Sequence, residues 1–180
     1  HKTLEGIEAC LEYGLSVKTN MVVIKGENDD EIVNMLEYGV AHGVEVRYLE
    51  LMSMGPLHNN DDYKIVSMKE MLKRISAKYD VQPASAETDS TSLRYGVPGG
   101  YFGIIPNNSA PFCSTCSRLR LTSNGQLIGC LSNPEPVSVR HLLEQADPVE
   151  ALLKLVKKSV SYKQDVVFTG SSLVMSRVGG

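Results

Sequence analysis

Cys113 and Cys116 stand three positions apart, Cys130 returns fourteen residues later, and Arg118 and Arg120 lie between. Three soft, anionic thiolates are enough to hold an iron–sulfur cluster, and they leave one iron without a protein ligand. A purely structural metal would close its fourth position and would have little use for two permanent cations beside it. Arginine offers planar, paired donors suited to phosphate and to the edges of bases. These residues at this spacing therefore describe a cluster that meets an anionic ligand. Structural zinc is the competing chemistry. It needs a fourth ligand, and His141 is the nearest downstream, at a spacing that matches no familiar zinc pattern.

A hairpin must position these groups. Arg118 and Arg120 alternate with Leu119 and Leu121, so an extended strand would put the arginines on one face. Ser123-Asn124-Gly125 is a turn signal. A two-residue Asn124-Gly125 turn would pair Leu119 with Cys130. A three-residue loop with Gly125 left-handed would pair Arg118 with Cys130. The second register is expected here, because it brings the third thiolate and the arginines to one side.

Upstream, helix and strand alternate. A helix runs to about Tyr13, and its apolar positions Leu4, Ile7, Cys10 and Leu11 predict a buried thiol at Cys10. Val17 to Ile24 reads as a strand with polar Lys18 and Asn20 on one face. Asp30 to Ala41 reads as an amphipathic helix with Asn28 or Asp29 as its N-cap. Val44 to Leu51 reads as a second strand, on which Arg47 and Leu49 share a face. The order predicts parallel strands with helical crossovers, as in an α/β barrel or an open sheet. Lys18 and Arg47 would then form a cationic wall at the strand mouths, where barrel enzymes place substrate.

Past Met54-Gly55-Pro56 the pattern changes. Ser67-Met68-Lys69-Glu70 reads as a capping box opening a helix to about Tyr79. Short extended segments fall at 81–84, 92–97 and 101–106, and helices at 140–145 and 149–160. The fold class read from this pattern is α/β. Residues 1–56 are expected to be the later βα units of an incomplete, TIM-like barrel. Residues 57–180 are expected to be a small α+β domain carrying the cluster.

Composition narrows the function classes. The 180 residues are 42% hydrophobic and 22% charged, with a net charge of −3. That balance fits a globular chain and argues against a nucleic-acid-coating surface. No apolar run is long enough to span a membrane, nothing resembles a signal peptide, and an odd cluster of cysteines fits a reducing cytoplasm. The chain begins at His1 with a helix already in progress, and reads as part of a longer protein.

The segment Phe112-Cys113-x-x-Cys116-x-Arg118-Leu119-Arg120-Leu121-Thr122-x-x-Gly125-x-Leu127-x-x-Cys130-Leu131 is similar to the C-terminal cluster motif of the GTP 3′,8-cyclase family, the radical S-adenosylmethionine enzymes that open molybdenum cofactor biosynthesis. Leu4-Glu5-Gly6-Ile7, Val17-Lys18-x-Asn20-Met21-Val22, Gly26-x-Asn28-Asp29-Asp30-Glu31 and Val46-Arg47-x-Leu49-Glu50 resemble that family's barrel in order. Met175-Ser176-Arg177-x-Gly179-Gly180 resembles its double-glycine tail.

The resemblance implies a mechanism. One [4Fe-4S] cluster, on a C-x-x-x-C-x-x-C motif, cleaves S-adenosylmethionine, and the 5′-deoxyadenosyl radical takes the 3′ hydrogen of GTP. The ribose radical adds to guanine C8, giving 3′,8-cyclo-7,8-dihydro-GTP. A second [4Fe-4S] cluster, here on Cys113, Cys116 and Cys130, holds guanine through its open iron. By the same resemblance Arg118 and Arg120 contact GTP, Lys18 and Arg47 meet its triphosphate, Met52 contacts S-adenosylmethionine, and Gly179-Gly180 reaches into the active site. A reductant is required and a homodimer is allowed.

Two departures matter. Ser117 stands where the family commonly has Asn, and 57–64 match loosely. The radical-generating motif is absent from these residues, so no catalytic residue is expected here and the chain alone is expected to be inactive. Two alternatives remain. Another radical S-adenosylmethionine enzyme with an auxiliary cluster would usually carry more cysteines. A non-catalytic, zinc-stabilised interaction module would not respond to GTP.

Overall fold

The computed structural model describes residues 1–58, 64–85, 90–164 and 168–178, with the Arg177 side chain excepted. Gly179 and Gly180 lie outside the described residues. The chain forms two compact units, 1–51 with 64–110 and 52–63 with 111–180.

The first unit is a mixed sheet under helices. Helix α1 (Lys2–Glu12) leads to β1 (Lys18–Val23), α2 (Ile32–His42), β2 (Glu45–Glu50), α3 (Met68–Ser76), β3 (Gln82–Ala84), β4 (Leu93–Val97) and β5 (Gly100–Ile105). The strand order is β1-β2-β5-β4-β3. β1, β2 and β5 run parallel, β4 pairs antiparallel with β5, and β3 pairs antiparallel with β4. The expected parallel pair is present, and the short segments after residue 80 add to the same sheet. By their internal contacts the two compact units divide at 51/52, 63/64 and 110/111. Composition changes near Pro56, but strand pairing carries the sheet past that point.

The pleat sorts side chains by face. Met21, Val23, Val46, Tyr48, Phe102 and Ile104 share a core with Ile32 and Leu36 of α2 and Met71 and Ile75 of α3. Of the alternate residues, Lys18, Asn20 and Val22 are exposed, and Arg47 and Leu49 are half-buried. A sheet with one helix-covered face and one polar face needs this alternation. Tyr48 sits in the apolar layer but satisfies its hydroxyl by donating to the Ile32 carbonyl at 2.7 Å, and burial pushes its phenol pKa up.

Two expectations are corrected. Cys10 is only half buried, and no residue of α1 is buried. Nothing packs over the apolar side of α1 among the described residues closely enough to close it, and Leu4 is 47% exposed. Asn28 makes no side-chain helix cap. Its Oδ1 accepts from the Ile24 backbone N–H and its Nδ2 donates to the Val22 carbonyl, so it closes the loop after β1 instead. Asp29 likewise accepts from the Gly26 N–H, and α2 begins at Ile32 after a 3-10 turn, Asp29–Glu31.

The capping box at Ser67 is present in both directions. The Ser67 backbone N–H, then its hydroxyl, hold the Glu70 carboxyl below the ordinary value of 4.5, with burial opposing. A depressed carboxylate stabilises the fold above its unfolded pKa, and that stabilisation is lost as pH falls through the folded value. Glu70→Ala should therefore cost about 1 kcal/mol at neutral pH. The gap between wild-type and variant melting curves should close as pH falls below 4.5; a constant gap across that range would contradict the capping account.

The second unit carries β6 (Arg120–Leu121), β7 (Gln126–Ile128) and β8 (Val137–Ser138) as an antiparallel sheet, then α4 (Val149–Val160). Residues 140–144 form a 3-10 turn rather than an α-helix. The unit's buried apolar residues among those described are Met54, Leu127, Ile128, Val137, Leu142 and Val178.

Candidate functional site

The hairpin takes the three-residue loop. Arg120 pairs with Ile128 and Leu121 with Leu127, a count that sets Arg118 opposite Cys130 if carried two residues beyond the ladder. Gly125 has φ +76°, which a side chain would strain. The Thr122 backbone N–H donates to Gln126 O and its Oγ1 accepts from the Gln126 N–H, closing the loop at both ends. Leu121 is 62% exposed, while Arg120, beside it on the strand, is half-buried. The inward residue of this short strand is the cation.

Cys113 opens a 3-10 turn, Cys113–Thr115, and Cys116 follows as its C-cap. The Cys116 N–H donates to Cys113 O at 3.2 Å, so the C-x-x-C spacing folds back on itself. Cys116 is the most heavily solvated by donors. Arg118 Nη2 and Lys163 Nζ each lie 3.4 Å from its sulfur. Lys163 is anchored by donating to the Arg118 carbonyl at 2.6 Å. The Arg118 guanidinium stacks over Phe112, 4.5 Å from the ring centre.

The electrostatics separate the thiols. Burial and then the charges of Cys130 and Cys116 raise the Cys113 thiol. Burial also raises Cys116, but the Arg118 N–H, its guanidinium and the Lys163 charge outweigh it, and the net shift is downward. Burial, then the like charge of Arg118, lowers Arg120. A thiol with cationic donors on it is held toward the thiolate, the form that binds metal.

Among the described residues no three His, Cys, Asp or Glu side chains converge closely enough to hold one metal ion. Three thiols, with cationic N–H donors turned on Cys116, are a donor set of the kind that holds a thiolate-bound metal centre.

Of the other expected residues, Lys18 and Arg47 lie on the polar face of the first unit. Lys18 is the first residue of β1 and pairs with Glu45, the first of β2. They flank a cleft of about 480 Å³ together with Glu45, Ser92, Arg94 and Tyr101. This cleft is at the N-terminal edge of the parallel strands. Period-2 alternation reports the face that a residue takes, not its position along the strand. Met52 lies just past β2, and its carbonyl accepts from the Met54 N–H.

Three residues had no role in the sequence reading. Lys163 is 47 residues from Cys116 and lies past the end of α4, where a charge run reads as solvated. Arg94 sits in a short strand of no clear pattern. Glu50 did leave a signal: it falls on the apolar register of Val46 and Tyr48, where a carboxylate does not belong without partners.

A mixed α/β sheet unit and a small unit bearing three cysteines with cationic donors stand on one chain. Residues 44–169 match the family described as Molybdenum Cofactor Synthesis C, and the chain belongs to that family. Relatives include proteins named GTP 3′,8-cyclase. That of Helicobacter pylori (strain J99) is 36% identical over 164 residues, covering 91% of this chain and 50% of the relative. That of Campylobacter curvus is 37% identical over 152 residues, covering 84% and 47%. That of Synechocystis is 35% identical over 153 residues, covering 83% and 47%. The chain thus spans about half the length of these relatives. No helix among the described residues is long and apolar enough to cross a membrane.

Proposed function

We propose that this chain is the C-terminal portion of a GTP 3′,8-cyclase, the part that holds an auxiliary [4Fe-4S] cluster and binds GTP. The observation that carries it is that Arg118 and Lys163 both face Cys116, next to a three-residue hairpin loop whose register, carried past the ladder, would set Cys130 opposite Arg118. The relatives' printed names support the reaction. The one-sided polar sheet supports a barrel whose lumen is lined by Lys18, Asn20 and Arg47.

Cys113, Cys116 and Cys130 would hold the cluster. When bound, its three-cysteine ligation supplies an iron open to a purine nitrogen or oxygen. Arg118 and Arg120 orient the base and hold anionic oxygens with paired N–H donors. Lys18 and Arg47 bind phosphate. Met52 and the Gly179-Gly180 tail belong to the complete active site, with S-adenosylmethionine and the radical-generating cluster contributed by residues outside these 180. On this reading the chain alone binds but does not turn over GTP, and works in the cytoplasm with a separate reductant. The test is anaerobic loading with iron and sulfide. About four irons per chain are expected, and Cys130→Ser should lose most of them. Stoichiometric zinc in preference to iron would instead favour the interaction module.

Lys163 would then tune the cluster. Its ammonium, 3.4 Å from Cys116 sulfur, favours the reduced, more negative state. Lys163→Met should move the midpoint potential downward by on the order of 60 mV, one tenfold step for a one-electron couple, and Lys163→Arg should restore most of it. An unchanged potential in an intact loaded cluster would remove Lys163 from this role.

A further inference from the structure

We infer that Arg94 and Ser92 complete a polyphosphate-binding subsite with Lys18 and Arg47, in the cleft at the N-terminal edge of the sheet. The inference rests on the reading that the ligand is a nucleoside triphosphate, and it adds two groups which the motif resemblance does not point to.

Charge comes first. Three cations, Lys18, Arg47 and Arg94, line the cleft against one carboxylate, Glu45. Glu45 is shared: Arg94 Nε donates to its Oε2 at 3.0 Å, and Arg47 Nε lies 3.6 Å from its Oε1. One carboxylate cannot neutralise two guanidiniums and an ammonium, so the described residues that line the cleft carry an excess of two positive charges. Arg47 Nε makes no hydrogen bond and is buried. The Arg94 guanidinium lies 4.0 Å from the Tyr101 ring centre, which fixes its plane while leaving its outer N–H groups for a ligand.

A second, independent observation points the same way. Ser92 is 5% exposed, and its hydroxyl has no partner. A buried hydroxyl left unpaired is unfavourable, and such groups usually find a partner. A ligand oxygen in the cleft that it lines would supply one. Gly103 makes this arrangement fit: a Cβ there would stand 2.1 Å from Ser92 Oγ and 3.4 Å from Arg47 Cγ. Bare backbone at that position lets a hydroxyl and a guanidinium reach the same space from neighbouring strands. A hydroxyl donor, two guanidiniums and an ammonium around one opening suit the clustered oxygens of a polyphosphate better than a single carboxylate or a neutral sugar.

The test is titration calorimetry of the cluster-free, 180-residue chain with inorganic triphosphate at fixed ionic strength, with guanosine as the uncharged counterpart. Wild type should bind triphosphate and not guanosine. Arg94→Met should weaken binding about tenfold or more and Ser92→Ala about fivefold, while Arg94→Lys should recover part of the loss. Lys154→Met, on the outer face of α4, should change nothing. Circular dichroism checks folding, and Ser92→Ala keeps the test decisive should Arg94→Met unfold. Affinity unchanged in a folded Arg94→Met or Ser92→Ala protein overturns the inference, as does failure of wild type to bind millimolar triphosphate. Iron loading tests the cluster reading separately. Triphosphate binding that depends on Arg94, in a chain that takes up no cluster, would leave this inference standing and sink the proposed function.

Discussion

Glu50→Ala should cost the sheet unit on the order of 4 kcal/mol, a large share of the stability of a domain this size. Glu50 is 1% exposed at the end of β2. Its Oε1 accepts from the Met68 N–H at 2.8 Å and from the Ser109 hydroxyl. Its Oε2 accepts from the backbone N–H groups of Asn108 at 2.7 Å and Ser109 at 2.9 Å. One carboxylate thus caps the first turn of α3 and closes the turn after β5. Alanine would strand three buried backbone donors, each unfavourable by about 1–3 kcal/mol. Glutamine should rescue little, because its amide nitrogen would face N–H donors in place of one accepting oxygen. Urea unfolding followed by circular dichroism measures this. A Glu50→Gln protein as stable as wild type would show that the N–H groups have other acceptors.

Gly129→Ala should destabilise the cysteine unit by about 3 kcal/mol or more. A Cβ at Gly129 would stand 1.8 Å from the Ser159 carbonyl oxygen and 2.6 Å from its carbon. Both are backbone atoms of α4, so no rotamer change relieves the clash. Either α4 lifts from β7 or the strand end shifts, and the next residue is Cys130. Loss of the thermal transition, or of iron uptake at a surviving fold, is the expected result. A variant that melts and loads like wild type would mean that α4 does not rest on Gly129 as described.

Much of this was legible in the residues because local rules governed it. Polar Lys18 and Asn20 alternating with apolar neighbours placed one face of β1 in the open. Ser67 and Glu70 wrote their capping box within four positions. Ser123-Asn124-Gly125 announced a turn but allowed two loop lengths, and the choice between them rested on bringing Cys130 to the arginines' side.

What was not legible depended on partners distant in the chain. Asn28 looks like a helix cap until the strand end it bonds is known. Cys10 lies on a helical apolar stripe, but a stripe is buried only if something covers it. Glu50 meets donors 18 to 59 residues away, and Lys163 reaches back 47 to Cys116. The pairing of β5 beside β2 is likewise one that no local pattern announces.

The most direct test of the central claim is the Mössbauer and electron paramagnetic resonance spectrum of the iron- and sulfide-loaded chain, with and without GTP, beside Cys130→Ser. The account predicts a four-iron cluster with one distinct iron whose signal moves when GTP is added, and loss of that cluster in the variant. An intact cluster of four equivalent irons, unchanged by GTP, would contradict it.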